Sequence, residues 1–265
     1  MCINLYPNEL GRFMQTRTCI RNLQNGFSLV EMAIVLTIIA LLAGGILTGK
    51  SLIRSSEVQA TISKVSEYRS AINNFSERYM ALPGDFSTAT SFWADAYDGD
   101  GDGVIGNSYD TSCASDFDEQ WAAFQHLGKA ELIDGEYEVS GGDVPNPGVN
   151  VPRTPIAGGG YTIRSCGDIT SSIYYFVGYY GHVIQVGGLL NWAKGGTRNP
   201  MFTPDEAGAI DKKLDDSLPG TGIIKAPKAS DTYATACTTT DNPATADYNF
   251  ADSQRLCPLF FLLGF

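Results

Sequence analysis

"NGFSLVEMAIVLTIIALLAGGILTG", residues 25–49, decides the fold, because it puts a single carboxylate, Glu31, at the start of a long apolar run. From Phe27 to Thr48 the only polar side chains are Ser28, Glu31, Thr37 and Thr48, and the run is long enough to span a bilayer at 1.5 Å per residue. A carboxylate at bilayer depth costs about 2.5–3.5 kcal/mol on insertion scales, so Glu31 needs a compensating partner. Beyond the run the pattern changes without a break. Val58, Ile62, Val65, Tyr68, Ile72, Phe75 and Tyr79 recur at spacings of three and four, with Glu57, Lys64, Glu67, Arg69 and Glu77 between them. That is an amphipathic helix with one stripe to bury. The two pieces predict one helix of roughly 55 residues, ended by Pro83-Gly84 and weakened at the junction by Gly44, Gly45 and Gly49.

Charge orients this segment. The residues before it carry Arg12, Arg17 and Arg21 against Glu9, while the whole 265-residue chain has a formal charge of −11. A basic flank ahead of an apolar run reads as cytoplasmic, and the acidic remainder as the exported part. The same acidity argues against nucleic acid as a partner, since phosphate binding needs clustered Lys and Arg. Of six cysteines, Cys2 and Cys19 lie in the basic head. Cys113, Cys166, Cys237 and Cys257 remain, at spacings that fit disulfides in an oxidising compartment better than zinc. Three pairings are open; the sequential pairs Cys113–Cys166 and Cys237–Cys257 are favoured, because each closes one local excursion of the chain.

Past Gly84 the chain becomes rich in Gly, Pro and Asp. "SDFDEQWAAFQHL" predicts a helix capped by Ser115 or Asp116, with Trp121, Phe124 and Leu127 on its apolar face. "TPDEAGAIDKKLDD" opens with Thr203, Pro204 and Glu206 in a capping-box arrangement, and Ala207, Ile210 and Leu214 line one face. "YTIRSC", "SIYYFVG" and "GHVIQVG" predict an antiparallel meander, and "CPLFFLLGF" a final buried strand. The expected fold is α+β: a long N-terminal helix, membrane-spanning in its first half, packed through its second half on an antiparallel sheet with short extra helices and loops.

"DGDGDGVIG" places Asp98, Asp100 and Asp102 at alternate positions, followed by Gly103. This follows the first half of an EF-hand-type loop, with the Val104 carbonyl at position seven, and such hard oxygen donors suit Ca²⁺. Position twelve is Tyr109 rather than glutamate, so a closing carboxylate must come from elsewhere, and Glu119 or Asp118 is the candidate. The competing reading is a solvated acidic turn. The aromatic cluster Tyr174, Tyr175, Phe176, Tyr179 and Tyr180 reads as sheet packing, with an adhesive face as the alternative. His126 and His182, the only histidines, sit in no catalytic or metal motif, and His126 is expected at the helix surface or half-buried. No nucleophile, zinc or nucleotide motif appears, so a non-enzymatic role is expected.

A basic leader ending in Gly26, then Phe27, then Glu31 as the fifth residue after the glycine, then about twenty apolar residues, resembles the signature of type IV pilins and pseudopilins. "ALPGDF", "DGDGDG", "QHLGKAELIDG" and "IDKKLDDSLPGTG" resemble a subgroup of large bacterial pilin-like proteins. The chain departs from the family in carrying glycines rather than a proline near the helix junction. The resemblance implies a leader, 1–26, removed between Gly26 and Phe27 by a membrane-embedded prepilin peptidase that also methylates the new N-terminus. It further implies a filament-core helix, 27–50, and a globular head, 51–265. Glu31 would face the amine of Phe27 on a neighbouring subunit. The implied partners are other copies, other pilins, the prepilin peptidase, an inner-membrane assembly platform and, before assembly, the membrane itself. The implied location is the bacterial inner membrane, then a periplasmic or cell-surface filament. A type II secretion pseudopilin and a minor, tip-located adhesin are the alternatives within this reading.

Overall fold

A computed structural model describes residues 26–106, 113, 117–139, 144–189, 196–229 and 236–265. The chain divides into two compact units, Met1–Ser51 and Leu52–Phe265. Helix α1, Leu29–Tyr79, runs unbroken through Gly44, Gly45 and Gly49. It stops before Pro83: Met80 adopts a left-handed conformation, φ 55°, with its amide closing on the Ser76 carbonyl at 2.9 Å.

Within the first unit the apolar side chains of α1 face outward, Leu29 at 88% exposure and Leu41 at 77%. The segment is long and apolar enough to cross a membrane. Within the second unit the predicted stripe is the core. Val58, Val65, Tyr68, Ala71, Ile72 and Phe75 are buried in one apolar cluster.

The partner of that stripe is a four-stranded antiparallel sheet in the order β1-β2-β4-β3, with β1 Gly159–Ile169, β2 Gly178–Gly188, β3 Ile224–Lys225 and β4 Leu259–Leu262. Register assigns the faces. Tyr161 opposes Val186, Ile163 opposes Ile184, and Ile184 and Val186 oppose Phe261 and Leu259; all six share the α1 cluster. Val183 and Phe260, which alternate with them on the other face, join a second cluster with Tyr175, Tyr180 and the Cys113–Cys166 disulfide. Polar ties fix α1 to the rest of this unit. The Tyr161 hydroxyl donates to the Thr61 carbonyl at 3.1 Å, and Arg69 donates to the Leu262 carbonyl at 2.7 Å. Arg54 forms a two-point pair with Glu206, both bonds 2.7 Å.

Helix α2, Phe117–Lys129, buries Trp121, Phe124 and Leu127 as its spacing requires; the expected caps Ser115 and Asp116 lie outside the described residues. Helix α3, Pro204–Leu214, begins with the Thr203–Glu206 capping box. It buries Ala207 and Ile210, and Leu214 is 42% exposed. The disulfides are the sequential pairs, Cys113–Cys166 and Cys237–Cys257, each contributing on the order of 3–4 kcal/mol.

One expected strand does not form. Residues 172–177 of "SIYYFVG" lie in the irregular link between β1 and β2, and only its Gly178 joins β2. The Ser172 hydroxyl takes the amides of Tyr174 and Tyr175 at 3.0 and 3.2 Å, curling the backbone away from a ladder. Tyr175, Phe176 and Tyr180 are buried, while Tyr179 is 65% exposed. His126 is fully buried, not at the helix surface.

Candidate functional site

Two places carry the sequence-predicted residues, one in each unit. In the first, Ser28 and Glu31 form a reciprocal pair at the start of α1. The Ser28 amide donates to Glu31 Oε2 at 2.8 Å, and the Glu31 amide donates to Ser28 Oγ at 3.2 Å. This S-x-x-E arrangement is a capping box that satisfies two otherwise orphaned amides. Within a single chain, then, the Glu31 carboxylate already has a local task. Gly26 has open space around its α-carbon, and Phe27 is 77% exposed.

In the second unit the acidic loop lies between the end of α1 and the start of α2. Two glycines bring its strands of chain together: a Cβ on Gly84, φ 97°, would collide with the Glu119 carbonyl, and one on Gly99 with the Gly84 carbonyl. The close approach sets Asp85, immediately after Gly84, beside the loop. Asp85, Asp100 and Asp102 each offer a carboxylate oxygen within 4.8 Å of the others. Asp85 is the buried member, 3% exposed, and Asp100 and Asp102 are exposed. Asp85 Oδ2 accepts the Gly103 amide at 3.0 Å, while Oδ1 is buried with no hydrogen-bond partner. Burial lifts the Asp85 carboxyl above the ordinary range, the Gly103 and Gly101 amides oppose the lift, and the Asp102 and Asp100 charges add to it.

The remaining loop residues are held by backbone and neighbours. Asp100 Oδ1 accepts the Asp102 amide at 3.0 Å, and Asp102 Oδ1 accepts the Val104 amide at 2.8 Å. Asp98 turns to Thr90, taking its amide at 2.8 Å and its hydroxyl at 2.7 Å; these bonds hold its carboxyl below the usual range. Glu119, from the first turn of α2, reaches the loop as its spacing suggested. Its two oxygens accept the Asp100 amide at 2.9 Å and the Gly106 amide at 2.7 Å. Burial pushes its carboxyl up to about 7, against those amides and with help from Asp100 and Asp85.

The structure thus brings Asp100, Asp102 and Glu119 together with Asp85, a residue that the loop motif does not contain, and seats Asp98 on Thr90. Tyr109 lies outside the described residues. Asp85, Asp100 and Asp102 form an acidic group that could hold a metal ion, and carboxylate oxygens are the donors that hard divalent cations take.

A buried histidine shapes the same region. His126 of α2 accepts the Gly84 amide at Nδ1, 2.9 Å, and Nε2 lies 2.8 Å from the Tyr97 carbonyl. A carbonyl only accepts, so Nε2 carries the proton. In another acidic group each member accepts hydrogen bonds: Asp211 from Tyr248 and Ser217, Asp215 Oδ2 from the amides of Ile223 and Ile224, and Asp216 from Leu218 and Thr221.

Residues 21–47 match the family described as the prokaryotic N-terminal methylation motif. The chain carries a prepilin signature. The signature supports a type IV pilin-like or pseudopilin subunit and implies processing by prepilin peptidase and assembly into filaments. With the apolar helix it fits a membrane-anchored precursor. No curated protein and no solved structure matches the chain.

Proposed function

We propose that the chain is a structural, non-enzymatic subunit of a type IV pilus-like filament, cleaved between Gly26 and Phe27 and polymerised through the first half of α1. The match over residues 21–47 carries this reading. The outward-facing apolar side chains of residues 29–46 support it, since they need either lipid or neighbouring helices around them. In the filament Glu31 exchanges its capping bond for the positively charged amine of Phe27 on a neighbour. Breaking a buried pair of this kind typically costs ~3–5 kcal/mol, enough to select the axial step between subunits. Partners are other copies, other pilins and an inner-membrane assembly platform; the final location is periplasmic or at the cell surface. Burial of Tyr175, Phe176 and Tyr180 withdraws most of the aromatic cluster from an adhesive role and favours the structural reading over the tip adhesin. A structural Ca²⁺ at the acidic loop belongs to the same proposal. It offsets the mutual repulsion of Asp98, Asp100 and Asp102 and ties the loop to α2 near Glu119.

Mass spectrometry of the membrane-associated protein tests processing. The expected N-terminus is Phe27, N-methylated, and it reverts to Met1 when the prepilin peptidase is absent. A mature chain that keeps Met1, or one cut beyond Thr48, would remove the basis for the proposal.

A further inference from the structure

We propose that Asp85 is the buried ligand of a divalent-cation site, completed at its exposed rim by Asp100 and Asp102, and that Asp98 is not a ligand. The inference rests on the calcium reading above and replaces the ligand set that the loop motif alone suggests.

Asp85 is an unbalanced group. Asp85 is almost wholly buried, and its Oδ1 accepts no hydrogen bond. A buried carboxylate oxygen without a donor is costly, because it has lost water and gained nothing in return. Among the described residues no ion pair reaches Asp85, Asp100 or Asp102. Nor does the cluster disperse: the Gly84 and Gly99 contacts fix the backbone on either side, and the Gly103 amide holds Oδ2. The Asp85 carboxylate is left next to two further carboxylates, each of which keeps one oxygen outside its own backbone bond. Three convergent oxygen donors of one charge, one buried and two facing solvent, fit a hard cation that retains several waters.

The motif's first position does not fit. Both oxygens of Asp98 accept from Thr90, within the short 3-10 turn Ala89–Ser91. Glu119 serves as a positioning residue, holding the loop through the Asp100 and Gly106 amides. A cation at Asp85 therefore joins the segment that follows α1 to the loop and, through Glu119, to α2.

Calorimetric titration of Ca²⁺ into the chelator-stripped, full-length chain in detergent tests the proposal. Wild-type protein should bind Ca²⁺, Asp85→Asn should weaken the tightest event at least tenfold, and Asp98→Asn should change it less than about threefold. Asp85→Asn should also melt at or above the wild-type temperature in chelator, since it removes an unpaired buried charge while its amide oxygen still accepts from Gly103. Unchanged affinity in Asp85→Asn, or loss only in Asp98→Asn, overturns the assignment and leaves the calcium reading standing. A wild-type chain that binds no Ca²⁺ ends both. Should Asp85→Asn fold poorly, a structure of the calcium-loaded wild type decides. An ion about 2.3–2.6 Å from an Asp85 oxygen supports the site, and an ion held by Asp98 without Asp85 refutes it.

Discussion

At the scale of single residues, Glu31 has two tasks that one substitution can separate. In the isolated chain it completes a capping box with Ser28, and in the proposed filament it meets the Phe27 amine of a neighbour. Glutamine serves a capping box nearly as well as glutamate, because its amide oxygen accepts the same backbone bond. It carries no charge to pair. Glu31→Gln should therefore keep the start of α1 and insert in the membrane normally, yet assemble as poorly as Glu31→Ala. Pilus yield after shearing, set against the membrane pool of each variant, reads the difference. Assembly of Glu31→Gln at wild-type level would reduce Glu31 to a helix cap.

Elements show what the sequence could and could not disclose. Local periodicity made α1, α2 and α3 legible, because Val65, Tyr68, Ile72 and Phe75, or Trp121, Phe124 and Leu127, mark a buried face without reference to anything distant. The "GHVIQVG" strand was equally plain. "SIYYFVG" misled, since its β-forming composition was overridden by one serine hydroxyl holding two amides. Asp85 could not be found by spacing. It lies outside the alternating aspartates and arrives only because Gly84 and Gly99 permit close backbone contact. His126 misled for a similar reason, as its bonds to Gly84 and Tyr97 are non-local. That contact carries its own prediction. Burial pulls the His126 imidazole down to about 4, and a second proton on Nδ1 would confront the Gly84 N–H. The folded value lies below the unfolded one, near 6.5, so the neutral ring's contribution is complete above that pH. It is lost at about 1.4 kcal/mol per pH unit as pH falls from 6.5 toward 4. Nitrogen-15 NMR of the ring should show the Nε2–H tautomer persisting to near pH 4; titration near 6.5 would mean that the ring is not held as described.

On the scale of the whole molecule, the chain joins two parts: an apolar helical segment whose described large apolar side chains are exposed, and a disulfide-closed α+β unit with its own apolar core. An apolar surface of that kind is stable only within lipid or within a bundle of like helices. In the proposed assembly, leaving the membrane for a filament exchanges one such environment for the other, and Glu31 is the group that lipid would disfavour and a bundle with paired amines would accept. Electron cryomicroscopy of filaments sheared from cells that express the chain tests this most directly. The account predicts filaments built from this chain, with α1 bundled at the centre and the Glu31 carboxylate within about 4 Å of a neighbouring Phe27 amine. Filaments whose core excludes α1, or a chain found only as an unassembled membrane protein, would contradict it.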